Sequence, residues 1–112
     1  MNDHITFDDF LRVDIRTGTI IHAQVFEQAR KPAYQLEIDF GALGIWKSSA
    51  QITAHYTPEQ LIGKQIVAVV NFPVKQIANF FSVCLVLGAV EDNGEIVLLQ
   101  PTQSVENGLR IA

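Results

Sequence analysis

The sequence has few of the residues that cross-link a chain or give it strong charge. One cysteine, Cys84, occurs in 112 residues, which excludes an internal disulfide and a thiolate cluster for zinc or iron. Eight Lys and Arg against 12 Asp and Glu leave a net charge of −4. That balance excludes a polycationic arm that binds nucleic acid by bulk charge. Any nucleic-acid site must therefore be a local patch.

Long apolar runs and an export signal are also missing. No stretch approaches the roughly 20 apolar residues of a membrane span. Residues 1–10 carry three Asp and no basic region, unlike a secretory leader. We therefore expect a cytoplasmic protein with no membrane association. Apolar residues make up 48% of the chain, which is enough to build one hydrophobic core. Residues 1–112 are therefore predicted to form a single domain.

The sequence also lacks the common signatures of catalysis and cofactor binding. Neither GxxxxGK[ST] nor GxGxxG occurs, so no phosphate-binding loop or ATP-driven mechanism is indicated. His4, His22 and His55 are isolated, without the i, i+3 or i+4 partner of a helical metal site. Hydrolase residue types are present without a G-x-S-x-G elbow. We predict no enzyme, no cofactor and no metal site.

What the chain does have is strand-forming sequence. Val and Ile number 23 against nine Leu, a bias typical of strands. In residues 13–26 apolar and β-branched residues recur with period two, which predicts a long strand. Gly18 within this strand predicts a bulge or a sharp bend. The face predicted to be apolar comprises Val13, Ile15, Thr17, Thr19, Ile21, Ala23 and Val25. A second strand alternates over residues 34–40, and a third is predicted at residues 45–50.

Two short helices and a hairpin complete the predicted elements. Thr6 and Thr57 are positioned to cap helices at residues 6–11 and 57–62. Residues 65–72 and 82–90 are predicted as strands that are apolar on both faces. Asn93 and Gly94 predict a type I′ hairpin turn that leads into a returning strand at residues 95–100. The tail, residues 109–112, is expected to add an edge strand.

The order of these elements predicts an all-β fold. It matches a five-stranded OB-fold Greek-key barrel with short helices and with N- and C-terminal extensions. An SH3-like barrel is the main alternative. A second apolar face, at Val67, Val69, Cys84 and Val86, would need cover outside so small a barrel. We therefore expect a homodimer, because a two-fold contact between copies would cover it.

Two segments combine the side chains of a binding surface. On the third strand, Trp46, Lys47, Ser48 and Ser49 offer stacking, phosphate pairing and hydrogen bonds. A second candidate is the loop of residues 71–81, which OB folds use to contact ligands. Its candidate residues are Asn71, Phe72, Pro73, Lys75, Phe80 and Phe81. Whichever of its three phenylalanines remain exposed would form an apolar patch for a partner.

Several blocks of sequence resemble a known family, the CsaA secretion chaperones within the wider tRNA-binding domain family, whose domain is also appended to some aminoacyl-tRNA synthetases. The match covers residues 10–112. The blocks are DIRTGTI (14–20), IDFG (38–41), KSSAQIT (47–53), GKQIVAVVNFP (63–73), QIA-x-F-x-S (76–82), LVLG (85–88) and VLLQP (97–101).

The resemblance implies an OB-fold homodimer that uses its terminal segments in the interface. Such a protein would bind unfolded or precursor polypeptides without ATP and assist protein secretion, whereas other relatives bind tRNA. The resemblance places five residues on the family's ligand surface: Lys47, Ser48, Ser49, Asn71 and Pro73.

One departure from the family separates these two functions. Where relatives often have Gly, Phe and Lys, this chain has Asn79, Phe80 and Phe81, so the loop loses a cation and gains an aromatic ring. That change favours apolar polypeptides over phosphates. The alternative stays open that the chain binds tRNA through Arg16, Lys75 and the third strand.

Overall fold

The computed structural model describes residues 3–112 and shows a mostly β protein. Its two helices are α1 (Phe7–Leu11) and α2 (Pro58–Leu61), and a 3₁₀ turn spans Gly41–Leu43. The strands are β1 (Ile15–Val25), β2 (Tyr34–Asp39), β3 (Ile45–Ala50), β4 (Gln65–Val69), β5 (Lys75–Ile77), β6 (Phe80–Ser82), β7 (Leu85–Val86), β8 (Gly88–Val90) and β9 (Ile96–Leu98). Neither helix has the length or the apolar character needed to cross a membrane.

Both predicted helices are confirmed, and both begin at a capping box. The Thr6 hydroxyl accepts from the amide of Asp9, whose carboxylate accepts in return from the Thr6 amide. Thr57 and Gln60 repeat this exchange at α2. Each pair satisfies two amides that the first turn of a helix leaves free.

The central sheet is antiparallel, with strand order β3-β2-β1-β4-β7. Its outer strands meet: the amide of Val83 donates to the carbonyl of Lys47 at 2.9 Å, and the Ser48 hydroxyl donates to the carbonyl of Cys84 at 2.8 Å. These bonds nearly close the sheet into a five-stranded barrel. The predicted OB-type all-β fold is confirmed.

The predicted apolar face of β1 is confirmed at Ala23 and is wrong at Ile21 and Val25. Up to Ile20 the side of the strand that faces the core carries Gly18 and Ile20, which the prediction places on the opposite face. A bulge between Ile20 and His22 shifts the register against β2, so the alternation reverses there. Ile20 and Ala23 face the core, whereas Ile21 and Val25 are exposed.

Gly18 has a different role from the one the sequence indicated, because the bulge lies beyond it. A Cβ atom at this position would lie 2.7 Å from Ile38 Cγ2 and from Phe40 Cε1. Gly18 therefore makes room for two core side chains of the neighbouring strand.

The single strand predicted at residues 82–90 is also wrong, because this segment is divided among three partners. β6 pairs with β5, β7 with β4, and β8 with β9. Between β6 and β7, the amide of Val83 and the carbonyl of Cys84 bond β3 instead, and the Ser49 amide donates to Ser82 Oγ at the end of β6. Because this segment contacts several elements in turn, both of its faces are apolar although it is not one continuous strand.

The hairpin at residues 88–98 is confirmed, but its turn type is not I′. Gly94 has a φ of +87°, whereas Asn93 does not adopt a positive φ, and the amide of Gly94 donates to the carbonyl of Glu91. One left-handed glycine after an ordinary turn is typical of a three-residue hairpin loop. The predicted tail strand forms a single bridge, between Arg16 and Arg110.

The expected outer apolar face is already covered within one chain. Val67 and Val69 are 9% and 4% exposed, Cys84 is 6% exposed and belongs to the core, and Val86 packs against that core. The segment after β9 crosses this region, since Gln65 exchanges hydrogen bonds with Val105. The physical reason first given for a homodimer is therefore wrong.

Candidate functional site

Two surface cavities border the β5–β6 hairpin and meet at Val83, which lines both. The larger has a volume of about 660 Å³ and the smaller about 320 Å³. We call them the large groove and the small groove. Together they contain most of the residues that the sequence predicted as a binding surface.

The large groove lies between β3, the segment after β4, and strands β5–β9. Apolar side chains dominate its lining, among them Ile52, Ile77, Leu85, Val86, Val90 and Ile96. Of the predicted site residues it collects Ser49, Phe72, Pro73 and Lys75. Its volume falls within the range of about 300–1,000 Å³ typical of ligand pockets.

Phe72 and Lys75 are the large, exposed site residues of this groove. Phe72 is 53% exposed on a predominantly apolar surface, which is typical of a partner site. Lys75 is exposed on β5 opposite Ser82. The groove therefore combines a broad apolar surface with one cation.

The small groove contains Trp46, Lys47, Phe80 and Phe81. Phe81 is 53% exposed, whereas Phe80 is half-buried and packs on Phe26, with ring centroids 5.3 Å apart. The two adjacent rings thus differ in burial, as neighbours on opposite faces of a strand do.

Two predicted residues of β3 have most of their polar atoms engaged within the fold. Trp46 packs edge-on against Phe40, and its indole Nε1 donates to the carbonyl of Leu43 at 3.0 Å. Ser48 is fully buried, and its hydroxyl donates to Cys84. Trp46 offers only part of its ring to the small groove, and Ser48 reaches neither groove.

Asn71 lies outside both grooves and ties the loop to the N-terminal segment. Its Nδ2 donates to the carbonyl of Arg12 at 2.7 Å, and its Oδ1 accepts from the amide of Asp14 at 3.0 Å. Both polar atoms of this side chain are thus engaged within the fold, and they position the segment that carries Phe72.

Positive charge at the grooves is sparse. Among residues 3–112, the charged side chains that line either groove are Lys47 and Lys75. Arg16, the third cation considered for tRNA, pairs with Asp14 at 2.7 Å and donates to the carbonyl of Gly108. Its guanidinium holds the tail against β1, so it is not free to pair with phosphate.

The sequence did not indicate that strands β7, β8 and β9 line the candidate site, although they form most of the large groove. Leu85 and Val90 lie in the segment predicted to be apolar on both faces, and Ile96 lies in the predicted returning strand, so their apolar pattern was the available signal. The short strands that expose Leu85 and Val90 result from partner changes between β6 and β9. Long-range pairing of that kind leaves no local sequence pattern.

The burial of Cys84 separates this thiol from the chemistry of the grooves. Desolvation raises the pKa of Cys84 from 9.0 to about 11, opposed by the hydrogen bond with Ser48. A neutral, buried thiol is a poor nucleophile.

A third cluster lies at the β8–β9 turn, where His55 meets Glu91 and Glu95. The Glu91 carboxylate bonds His55 Nε2 and raises the pKa of that exposed imidazole. No local sequence pattern indicates this cluster, because His55 and Glu91 are 36 residues apart.

Comparison with known proteins identifies relatives for nearly the whole chain. A family model described as a putative tRNA binding domain matches residues 15–110. The crystal structure of the chaperone CsaA from Bacillus anthracis is 56% identical, covers 98% of this chain and all of that one, and superposes with a TM-score of 0.93. The CsaA chaperone protein from Picrophilus torridus is 52% identical over 97% of this chain and all of its own, with a TM-score of 0.90.

A longer protein also contains a related region. The methionine–tRNA ligase of Methanococcoides burtonii is 35% identical over 106 residues, which are 95% of this chain and 15% of the ligase. The chain thus spans about one seventh of the length of that relative.

Proposed function

This chain belongs to the putative tRNA binding domain family, and from that premise we propose that it is an ATP-independent chaperone of the CsaA type. In this proposal the chain acts as one domain in the cytoplasm, has no catalytic activity, and holds unfolded or precursor polypeptides on their way to export. The similarity to CsaA over the full length of the two solved chaperones supports this proposal.

The large groove is the observation that carries the proposal. Its apolar lining, its volume of about 660 Å³ and the half-exposed ring of Phe72 suit an apolar segment of an extended chain. Burial of apolar surface supplies affinity of low sequence specificity, roughly 25 cal/mol per Å². A holding chaperone needs such affinity and needs no nucleotide.

We further propose that two copies associate through their terminal segments. No residue of α1 is buried, and Ile5 and Phe7 are 74% and 72% exposed. Exposed apolar side chains close together on and just before a short helix are typical of an interaction site, and a second copy would cover them. A dimer would also present two large grooves, whose combined avidity can exceed one weak contact about 100-fold.

The alternative function is tRNA binding, favoured by the family description for residues 15–110. Lys47 and Lys75 are the groove cations available for phosphate. With these two phosphate contacts, affinity would drop about 7-fold between roughly 50 and 200 mM salt. Apolar peptide binding would change little over that range.

Salt dependence therefore separates the two functions. A fluorescently labelled unfolded peptide and a labelled tRNA are titrated with the protein at low and high salt, and anisotropy gives the affinities. We expect peptide binding that is insensitive to salt and weak or undetectable tRNA binding. Tight, salt-sensitive tRNA binding without peptide binding would reverse the assignment.

A matched pair of variants locates the peptide site. Phe72→Ala removes the exposed ring of the large groove and is expected to weaken peptide binding about 10-fold. Ile62→Ala removes a similarly exposed apolar side chain that lines neither groove, and should leave affinity unchanged. Equal affinities for the two variants would contradict a site in the large groove.

Sedimentation tests the proposed dimer independently of the ligand. At micromolar concentration we expect twice the chain mass of 12.5 kDa, and Phe7→Ser should shift the protein towards the monomer. Monomers alone for the unmodified protein would rule the dimer out.

A further inference from the structure

Three potential metal-ligand side chains from separate segments converge beside the large groove. His55 lies in the loop between β3 and α2, and Glu91 and Glu95 flank the β8–β9 turn. His55 Nε2 lies 2.5 Å from Glu91 Oε1 and 3.9 Å from Glu95 Oε1. One potential ligand atom from each side chain lies within 4.8 Å of the other two.

The charge at this cluster is not balanced by basic residues. Within residues 3–112, the ion pairs of Glu91 and Glu95 are those with His55, and neither carboxylate lies within salt-bridge distance of a Lys or Arg. Two carboxylates that share one imidazole, next to the exposed Asp92, create a local negative potential. A bound cation would neutralise it.

The pairing of β8 with β9 holds Glu91 and Glu95 opposite each other at the turn. The amide of Glu91 donates to the carbonyl of Glu95 at 2.8 Å, which places both residues at the base of the turn. Asn93 then accepts from the Glu95 amide and donates to Glu95 Oε1 at 3.1 Å. Hydrogen bonds of this kind fix the orientation of a ligating carboxylate.

We propose that His55, Glu91 and Glu95 form a binding site for one divalent transition-metal ion, with Zn²⁺ the best match. Zinc takes imidazole nitrogen at about 2.0 Å and carboxylate oxygen at about 2.0–2.2 Å, usually in tetrahedral geometry. Tetrahedral ligands lie about 3.3 Å from one another at those bond lengths, so small side-chain rotations bring the three groups into position. Water would complete the coordination.

The ligand set also selects against the abundant hard cations. Calcium takes six to eight oxygen ligands, and magnesium keeps several of its waters and rarely uses an imidazole. A nitrogen with two carboxylates instead favours zinc and its transition-metal neighbours.

The bound ion would add a second link between two parts of the molecule that the bond from the Leu98 amide to the Tyr56 hydroxyl already joins at 3.0 Å. The β8–β9 hairpin supplies Val90, Gly94 and Ile96 to the large groove, and the metal would fix that hairpin to the loop before α2. The site would therefore stiffen one wall of the groove. The proposal does not depend on which ligand the groove takes.

Zinc uptake by the protein without an affinity tag tests the site directly. Zinc is titrated into the full chain in competition with a chromophoric chelator, and thermal unfolding is followed with and without zinc. We expect one zinc ion per chain and a midpoint that rises with zinc concentration, because the ion binds the folded state.

Three variants assign the uptake to these residues. His55→Asn and Glu91→Gln change exposed side chains with little change in size, and each should weaken zinc binding at least 10-fold. His22→Asn, at an exposed histidine on β1, is the matched control and should bind as the unmodified protein does. Far-ultraviolet circular dichroism confirms that all three are folded.

Each contrary outcome would overturn the proposal. Absence of zinc uptake excludes the site, and equal affinity in His55→Asn and His22→Asn excludes His55 as a ligand. Stabilisation by calcium equal to that by zinc, and unchanged in His55→Asn, would show a carboxylate cluster that attracts any divalent cation.

Discussion

Strands β1–β4 and strands β5–β9 are built from similar apolar residues but use them differently. The first four strands contain 11, 6, 6 and 5 residues, and they pair along nearly their whole length. The last five contain two or three residues each and pair in separate short ladders.

The burial of apolar side chains follows this division. Among residues 3–112, 16 of the 18 buried apolar residues lie between positions 20 and 70, and only Cys84 and Leu98 come later. In the same later part, Phe72, Leu85 and Val90 are each close to half exposed or more. Long ladders direct one face of each strand into the core, whereas short ladders leave apolar side chains free to form a groove.

The largest expected effect is the difference between one leucine from each region. Leu36 on β2 is fully buried, whereas Leu85 on β7 is 46% exposed. Leu36→Ala should lower the free energy of unfolding by about 2–5 kcal/mol through lost burial and a cavity. Urea unfolding monitored by circular dichroism gives the value.

Leu85→Ala is the matched control. It should lower the free energy of unfolding by less than about 1 kcal/mol, since much of the Leu85 side chain is exposed to water in the folded state. A similar loss from both leucines would mean that the short strands are as firmly packed as the long ones. The division between the two regions would then be wrong.

Cys84 is one of two buried exceptions within the second region, with Leu98, and it provides a sharper test of where the core ends. Burial raises the pKa of its thiol from 9.0 to about 11, so the thiolate fraction at pH 8 falls about 100-fold. We expect an aromatic disulfide reagent to label the folded protein at least 100-fold more slowly than the protein unfolded in urea, where the thiol has its ordinary pKa.

The absorbance of the released thiol gives both rates. Rapid labelling of the folded protein would indicate that the segment between β6 and β7 opens readily and that Cys84 belongs with the exposed residues around it.

The sequence predicted the first region better than the second, and particular residues explain the difference. Thr6, Thr57 and the alternation from Tyr34 to Phe40 are local signals that act within a few residues, and the structure confirms them. The bulge after Ile20 depends on how β1 meets two partners at once. No pattern within β1 itself could place it.

The sequence indicated which residue types could form the candidate site, but it did not determine which of these side chains face a groove. Lys47, Phe72, Lys75 and Phe81 are exposed at a groove, as a binding role requires. Ser48 has the same residue type as Ser49, and only the pairing of β3 determines which hydroxyl faces the interior. The meeting of His55 with Glu91 likewise follows from tertiary contact between distant segments.

The smallest expected effect compares adjacent residues on β6. Phe80 packs on Phe26, and Phe81 is 53% exposed in the small groove. Phe80→Ala should cost about 1–2 kcal/mol of unfolding free energy, less than a fully buried ring would, whereas Phe81→Ala should change stability by less than about 0.5 kcal/mol. Urea unfolding measures both. Equal losses would show that Phe81 is held by the fold, and then the small groove would belong to the core region and not to the exposed surface formed by the short strands.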